Sequence, residues 1–203
     1  MKSSVMGGIV LLGFAATAGA DSPHEQEKLV AAIMTIGGAV EVDETKPGRP
    51  VVKVDLHGTK VTDADLALLA PLTELRHLDL RLTEIGDLGV MHLKGLKELR
   101  FLNLFRRKTG DIGLAQLKDM KNLETLLIGG TKVSDAGLAN LSSFQHLRKL
   151  SVFDTQVGDA GLEHLTGLRD LETLVIGKSK VTEAGVQALQ QSLPKLRFSE
   201  PTD

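Results

Sequence analysis

The stretch from Leu123 to His146, LETLLIGGTKVSDAGLANLSSFQH, decides the fold because it is one copy of a unit that the chain repeats in register. Copies of 24 residues begin at Val51, Leu75, Leu99, Leu123, Leu147 and Leu171, with no insertion or deletion between them. The first five are complete, and the sixth runs in step toward the carboxyl terminus. Their consensus is L-x-x-L-x-L-x-x-T-x-V-T-D-A-G-L-x-x-L-x-x-L-x-x. A strict period of this length is typical of a solenoid, in which similar units stack around one continuous core.

Each copy divides into a strand and a covering segment. The alternation in Leu75-Arg-His-Leu-Asp-Leu80 predicts a strand whose leucines point inward. Strands of successive copies then form a short parallel sheet. The second half of a copy predicts a turn and a short helix, with the following residues of the fourth copy in the core: Val133, Leu138, Leu141 and Phe144.

This consensus resembles the leucine-rich repeat family, most closely the cysteine-containing type L-x-x-L-x-L-x-x-C-x-x-I-T-D-x-G-L of F-box-associated proteins. Thr or Ser stands at the usual Cys position, which is similar to many short exported bacterial repeat proteins. The resemblance extends over about residues 51–198. It implies an α/β, right-handed, curved leucine-rich repeat solenoid, with the parallel sheet on the concave face and short helices on the convex face. It implies little about function, because the family is defined by its scaffold.

Both ends of the solenoid are predicted to be covered. Residues 21–50 read as an N-terminal cap, since a helical pattern from Pro23 to Ile36 precedes an alternating segment, Ala39 to Asp43, that forms a hairpin with the first repeat strand. Leu193 to Phe198 predicts a truncated strand that closes the other end, and residues 199–203 form a tail. Such caps cover the apolar surface and free strand edge that a stack otherwise leaves.

Residues 1–20 read as an export signal. Lys2 supplies the positive end, Val5 to Ala16 are apolar, and Ala18-Gly19-Ala20 is a cleavage site of small residues. The apolar stretch is short for a membrane span, although an uncleaved anchor is the alternative. We therefore expect a periplasmic or secreted protein that does not insert into the membrane once the signal is removed. The absence of cysteine fits export.

Two ladders of similar side chains follow from the repeat. The hydroxyl column, predicted to bond to the backbone, comprises Thr59, Thr83, Thr131, Thr155 and Ser179, with Arg107 in its third place. The acidic column, predicted to stabilise the start of each short helix, comprises Asp63, Asp87, Asp111, Asp135, Asp159 and Glu183. A calcium ladder is the alternative for these acids, but no glycine-rich calcium loop occurs.

The outward positions of the strands vary, and they predict the functional surface. In the first two copies they are charged or polar, including His77, Asp79 and Arg81. From the third copy onward they carry apolar side chains on a face predicted to meet water: Phe101, Phe105, Leu127, Phe153 and Val175. Exposed aromatic side chains beside a polar rim are typical of an interaction site. A segment folded over the sheet, or self-association, would hide them instead.

The third copy also breaks the consensus in its turn. Arg107 replaces the hydroxyl and Thr109 replaces the usual Val. Because an unpaired arginine is costly to bury, we expect this loop to bulge outward and to present Arg106, Arg107 and Lys108 beside Phe105. Simple degeneration of the repeat is the alternative.

Three functions remain open. The first is a non-catalytic protein-binding module, with partner-binding residues His77, Asp79, Arg81, Phe101, Phe105, Arg106, Arg107, Leu127 and Phe153. The second is an envelope or matrix structural protein that self-associates. The third, an enzyme using His57 and Asp79, lacks any nucleophile, zinc or nucleotide motif in its support. We expect no metal and no cofactor. Nucleic acid is not expected either, since 24 Lys and Arg stand against 26 Asp and Glu and there is no Trp or Tyr.

Overall fold

The computed structural model describes residues 23–199, so the predicted export signal and residues 200–203 lie outside the described part. One eight-stranded sheet runs through it in chain order. The strands are β1 (Ala39–Val42), β2 (Val51–Asp55), β3 (His77–Asp79), β4 (Phe101–Asn103), β5 (Thr125–Leu127), β6 (Lys149–Ser151), β7 (Thr173–Val175) and β8 (Arg197–Ser199). The helices are α1 (Pro23–Thr35), α2 (Asp87–Met91), α3 (Asp111–Ala115), α4 (Asp135–Leu138), α5 (Asp159–Glu163) and α6 (Glu183–Ser192). Shorter 3₁₀ segments cover Ala64–Leu69, His92–Gly95 and Ala139–Leu141.

The sheet confirms the predicted fold class. From β2 to β8 every pair is parallel, and paired residues are 24 positions apart, as in Lys53 to His77 and His77 to Phe101. A repeat of constant length produces this register because each coil advances the chain by one strand spacing. The first strand pairs antiparallel with β2, as the predicted N-terminal hairpin requires, and β8 adds a parallel strand beside β7 at the far end.

One core runs the length of the solenoid. The leucines at 75, 78 and 80 are fully buried, and so are the four residues predicted for the fourth copy. Each buried leucine contributes about 1.5–3 kcal/mol relative to exposure. The first helix joins this core through Ile33, and Gly38 lets the chain pass closely, since a Cβ there would lie 2.7 Å from Leu56.

The acidic column joins neighbouring repeats. The carboxylates of Asp63, Asp87 and Asp135 accept hydrogen bonds at 2.7 Å from the backbone N–H groups of Gly86, Gly110 and Gly158 in the next repeat. Asp111 and Asp159 accept from both the N–H and the hydroxyl of Ser134 and Thr182. The prediction that each acid serves its own helix is therefore wrong. Each carboxylate instead serves the following helix, where it accepts from backbone N–H groups that the start of a helix leaves free.

The consensus glycine leaves the space that this carboxylate occupies. A Cβ on Gly161 would lie 2.5 Å from Oδ1 of Asp135, and the equivalent glycines meet the preceding acid in the same way: Gly89, Gly113, Gly137 and Gly185. In the first repeat no such acid precedes, and Asp65 stands at the glycine position. Its carboxylate bonds to the N–H and hydroxyl of Thr62. We call these acid–glycine contacts the convex seam.

The hydroxyl column behaves as predicted. Each hydroxyl donates to the carbonyl three residues earlier at 2.5–2.7 Å, from Thr59, Thr83, Thr131, Thr155 and Ser179. These bonds satisfy buried carbonyl groups where the chain leaves each strand.

Candidate functional site

The sheet face opposite the helices presents three columns of side chains. They are Lys53, His77, Phe101, Thr125, Lys149 and Thr173; then Asp55, Asp79, Asn103, Leu127, Ser151 and Val175; then His57, Arg81, Phe105, Gly129, Phe153 and Gly177. The turns that follow the strands form one border of this face, which we call the carboxyl edge. The residues just before the strands form the other border, the amino edge.

A stacked ring pair begins the first column. His77 and Phe101 lie with ring centroids 3.9 Å apart and parallel planes, and both are half-buried. Burial lowers the pKa of His77, as does the nearby Lys53, while Asp79, Asp55 and Glu41 oppose the shift. The neutral imidazole thus continues the aromatic surface of Phe101.

Asp79 is a structural centre rather than a free binding group. It is 6% exposed, and its carboxylate accepts hydrogen bonds from the backbone N–H of Arg81 and from Nδ2 of Asn103. The same carboxylate forms an ion pair with the Arg81 side chain, with Oδ2 3.2 Å from Nε. His57 lies beside Asp55, with Nδ1 4.0 Å from Oδ1. The two residues considered for acid–base chemistry therefore have separate partners.

The two phenylalanines of the third column differ. Phe105 is half-buried, but Phe153 is only 9% exposed, and Val175 is buried as well. The prediction that Phe153 and Val175 are exposed is thus wrong. The rings of Phe105 and Phe153 lie 6.4 Å apart across Gly129, whose missing Cβ leaves room for the ring of Phe105 at about 3 Å. Alternation of Phe and Gly down the column was the available sequence signal.

Cations from the carboxyl edge cover these rings. Arg106 lies 5.2 Å from the centroid of Phe105, and Lys178 lies 5.5 Å from that of Phe153. Such cation–π contacts contribute about 0.5–1 kcal/mol each at exposed sites. Lys178 was not among the predicted site residues, and neither was Leu82, which is half-exposed at the equivalent turn.

The turn of the third repeat does not bulge, so that prediction is wrong. The N–H of Arg106 donates to Gly129 and that of Lys108 donates to Ile85, as the N–H groups of Gly130 and Lys132 do one repeat later. The regular hydrogen bonds hold the backbone in place and leave the guanidinium of Arg107 half-buried. Its Nε donates to the carbonyl of Phe105 at 3.1 Å. Burial lowers the pKa of Arg107, partly opposed by Glu84.

Thr109 is the second departure in this turn. It is fully buried, and its hydroxyl is the one buried side-chain polar atom of residues 23–199 without a hydrogen-bond partner. A buried hydroxyl left unpaired costs about 1–3 kcal/mol. The third repeat is therefore the least favourable version of the turn.

The described residues contain neither a cluster of metal ligands nor a membrane-spanning helix. Residues 23–199 hold no group of three His, Asp or Glu side chains placed to bind a metal ion. In the same range no helix has the length and apolar character needed to cross a bilayer.

Comparison with known proteins finds a family match in two of the repeat regions. The family described as Leucine Rich repeat matches residues 72–94 and 145–165. The comparison with curated proteins gives no match.

Several solved structures share the fold. An internalin from Listeria monocytogenes is 22% identical with a TM-score of 0.55, over 88% of this chain and 54% of the internalin. The Arabidopsis receptor kinase HAESA ectodomain, solved with a peptide hormone, is 20% identical with a TM-score of 0.64, over 89% of this chain and 32% of that one. A leucine-rich repeat protein of Leptospira interrogans is 19% identical with a TM-score of 0.54, over 66% and 33%.

This chain therefore spans about half or less of each of these proteins, and at such identities the likeness concerns the fold alone. The periodic core, the parallel register and the matched repeats agree with one another. The chain has the fold of a leucine-rich repeat solenoid.

Proposed function

We propose that this protein is a non-catalytic binding module that recognises a protein partner through its concave face. The observation that carries the proposal is the pair of half-buried rings, Phe101 and Phe105, on a sheet face with cations at its border. Apolar rings that a fold leaves partly exposed gain free energy when a partner covers them. The contact surface would include Leu127, Arg106 and Arg107, with His77 and Arg81 on one side. The buried Asp79 would hold Arg81 in place rather than contact the partner. The nearly buried ring of Phe153 would pack against Phe105 and hold it in position.

The proposed location is the periplasm or the cell exterior, after removal of residues 1–20. The export pattern in the sequence supports this, as does the absence of cysteine from the whole chain. The resemblance to short exported bacterial repeats, with Thr or Ser at the Cys position, points the same way. The HAESA ectodomain, solved with a peptide hormone, offers a precedent for recognition by this fold.

The test is partner capture from the native envelope fraction. The double variant Phe101→Ala/Phe105→Ala should lose a partner that the wild-type chain retains. Ile112→Ala is the matched control, because it removes an apolar side chain that is 69% exposed on the helix side. Equal capture by all three proteins would contradict recognition through the concave face.

Self-association is the second candidate, and one observation favours it. The helix side exposes Leu88 at 67% and Ile112 at 69%, with Met91 beside them. Exposed apolar side chains in adjacent repeats could bind another copy of the chain. Light scattering over a concentration series tests this, since a mass that stays monomeric would dismiss the structural role.

A further inference from the structure

The two borders of the concave face differ in whether their cations form ion pairs. At the amino edge, cations pair with acids of the next repeat: Arg100 with Glu124 at 3.1 Å, and Arg148 with Glu172 at 3.0 Å. At the carboxyl edge, seven cations have no ion pair within residues 23–199. They are Lys60, Arg106, Arg107, Lys108, Lys132, Lys178 and Lys180. The carboxyl edge therefore carries seven cations that form no ion pair among the described residues, with the acidic column beside its lysines, on a chain whose net charge is −2.

Arg107 is the member of this row with the most unused capacity. A guanidinium has five N–H donors, and here one, Nε, bonds to the carbonyl of Phe105. The others make no hydrogen bond to the described residues, although the side chain is half-buried. A partly desolvated guanidinium gains strongly from a carboxylate that it can hold with two parallel bonds.

Arg106 also occupies a position that the backbone does not favour. Its φ is +58°, and the equivalent residues Gly58 and Gly130 have φ of +70° and +67°. For a residue with a Cβ, this left-handed conformation costs about 1 kcal/mol. The chain thus places a cation over the ring of Phe105 where glycine would fold more easily. The equivalent turns of other repeats also place non-glycine residues in this conformation, at Leu82, Asp154 and Lys178, so the left-handed turn itself belongs to the repeat.

We propose that Arg107 and Phe105 bind an acidic–apolar pair of neighbouring residues in a peptide segment of the partner. An Asp or Glu carboxylate of that segment bonds to the free N–H groups of Arg107, while Arg106, Lys108 and Lys132 add favourable charge. The adjoining aliphatic or aromatic side chain packs on the ring of Phe105. This inference rests on the proposed function and names the chemistry of its partner.

An acidic peptide fits this edge better than a long polyanion. The cations share the border with Glu84 and with Asp154, which is exposed in the turn between Arg106 and Lys178. A uniform polyanion would meet these acids, whereas a peptide places one carboxylate and one apolar group where they are needed. The half-buried ring has no role in binding a polyanion by charge alone.

The test selects peptides on the purified chain from a displayed random library. We expect the enriched peptides to carry Asp or Glu within two residues of an aromatic or aliphatic residue. Arg107→Thr restores the consensus hydroxyl, so it should fold well, and it should weaken these peptides by about tenfold or more. Arg100→Thr is the control, since it removes a cation from the amino edge. Replacing the peptide acid by its amide should weaken binding to wild type much more than binding to Arg107→Thr.

The contrary outcomes are distinct. Enrichment of peptides without an acid, no enrichment at all, or equal affinity for Arg107→Thr would overturn the inference. Partner capture that survives Arg107→Thr but fails with Phe101→Ala/Phe105→Ala would retain the proposed function and reject only this site. Capture that survives both changes would reject the proposed function itself.

Discussion

The convex seam and the carboxyl edge belong to the same coils, yet the seam keeps the same residue types from repeat to repeat and the edge does not. Along the seam each repeat brings an acid against the glycine of the next, and five glycines have a neighbour that excludes a Cβ. Along the carboxyl edge the residue type changes between repeats at the same position of the turn. The position of Arg107 is Thr in most other repeats, and the position of Arg106 is Gly in two of them and Lys in another. A side chain enclosed by two repeats must keep its size and partner, because its space is set by backbone on both sides. A side chain at the edge can change at small cost, and that is where this chain differs from its own consensus.

Adding a single methyl group at the convex seam should cause the largest loss in the free energy of unfolding. Gly161→Ala places a Cβ 2.5 Å from the carboxylate of Asp135 and threatens the bond to Gly158. We expect the free energy of unfolding in urea to fall by about 2–4 kcal/mol. Gly167→Ala is the control in the same repeat, because nothing lies within 4 Å of its Cβ position. Adding Asp135→Ala to Gly161→Ala should recover part of the loss, and no recovery would mean that the carboxylate is not what the glycine accommodates.

The two phenylalanines should separate the supporting part of the concave face from the contacting part. Phe153→Ala removes a nearly buried ring and should lower the free energy of unfolding by about 3 kcal/mol. Phe105→Ala removes a half-buried ring and should cost about 1 kcal/mol. Chemical denaturation compares them directly. Equal losses would show that Phe105 belongs to the core and is not a contact surface.

One substitution should have opposite signs in adjacent repeats. Thr109→Val removes a buried hydroxyl without a partner and should raise the free energy of unfolding by about 1 kcal/mol. Thr131→Val removes a buried hydroxyl that donates to Ile128 and should lower it by about 1 kcal/mol. Measured Tm values should therefore move in opposite directions, and a loss in both variants would indicate that Thr109 has a bonding partner after all.

The smallest effect concerns pH at the end of the seam. The hydroxyl and the N–H of Thr182 both bond to Asp159 and hold the pKa of that carboxyl below its usual value. A lowered pKa in the folded state adds stability above the unfolded pKa of about 3.9 and loses it as pH falls through the folded value. Wild type should therefore exceed Asp159→Asn slightly in Tm at pH 7, and the difference should shrink by pH 3. A constant difference would assign the effect to shape rather than charge.

Much of the fold could be predicted because periodicity determines which strands are neighbours. A 24-residue repeat without insertions allows one parallel register, and the sheet has it. The same periodicity conceals whether a contact lies within a repeat or between two repeats. For that reason the sequence predicts that each acid serves its own helix, although the carboxylates bond to the next coil. Asp65, at the position where later repeats have Gly, was the residue that distinguished the two.

The candidate site was less predictable because exposure depends on neighbours in adjacent strands. Alternation predicts that Phe153 points away from the core, and it does so, but it is covered nonetheless. The turn at Arg107 looked incompatible with a regular coil. The backbone of this turn is held by hydrogen bonds to the repeats on both sides, so the loop keeps its regular path. The Arg107 side chain is accommodated by donating from Nε to the carbonyl of Phe105.

By itself the sequence determined the stacking, the parallel register and the buried leucines, because each depends on a period that can be counted along one chain. Only the tertiary structure decided which repeat each acid serves, how deeply each ring is covered, and that the cations of the carboxyl edge have no acid partners in residues 23–199. Those properties depend on distances between atoms of different coils. A linear pattern contains no such distances until the coils are stacked.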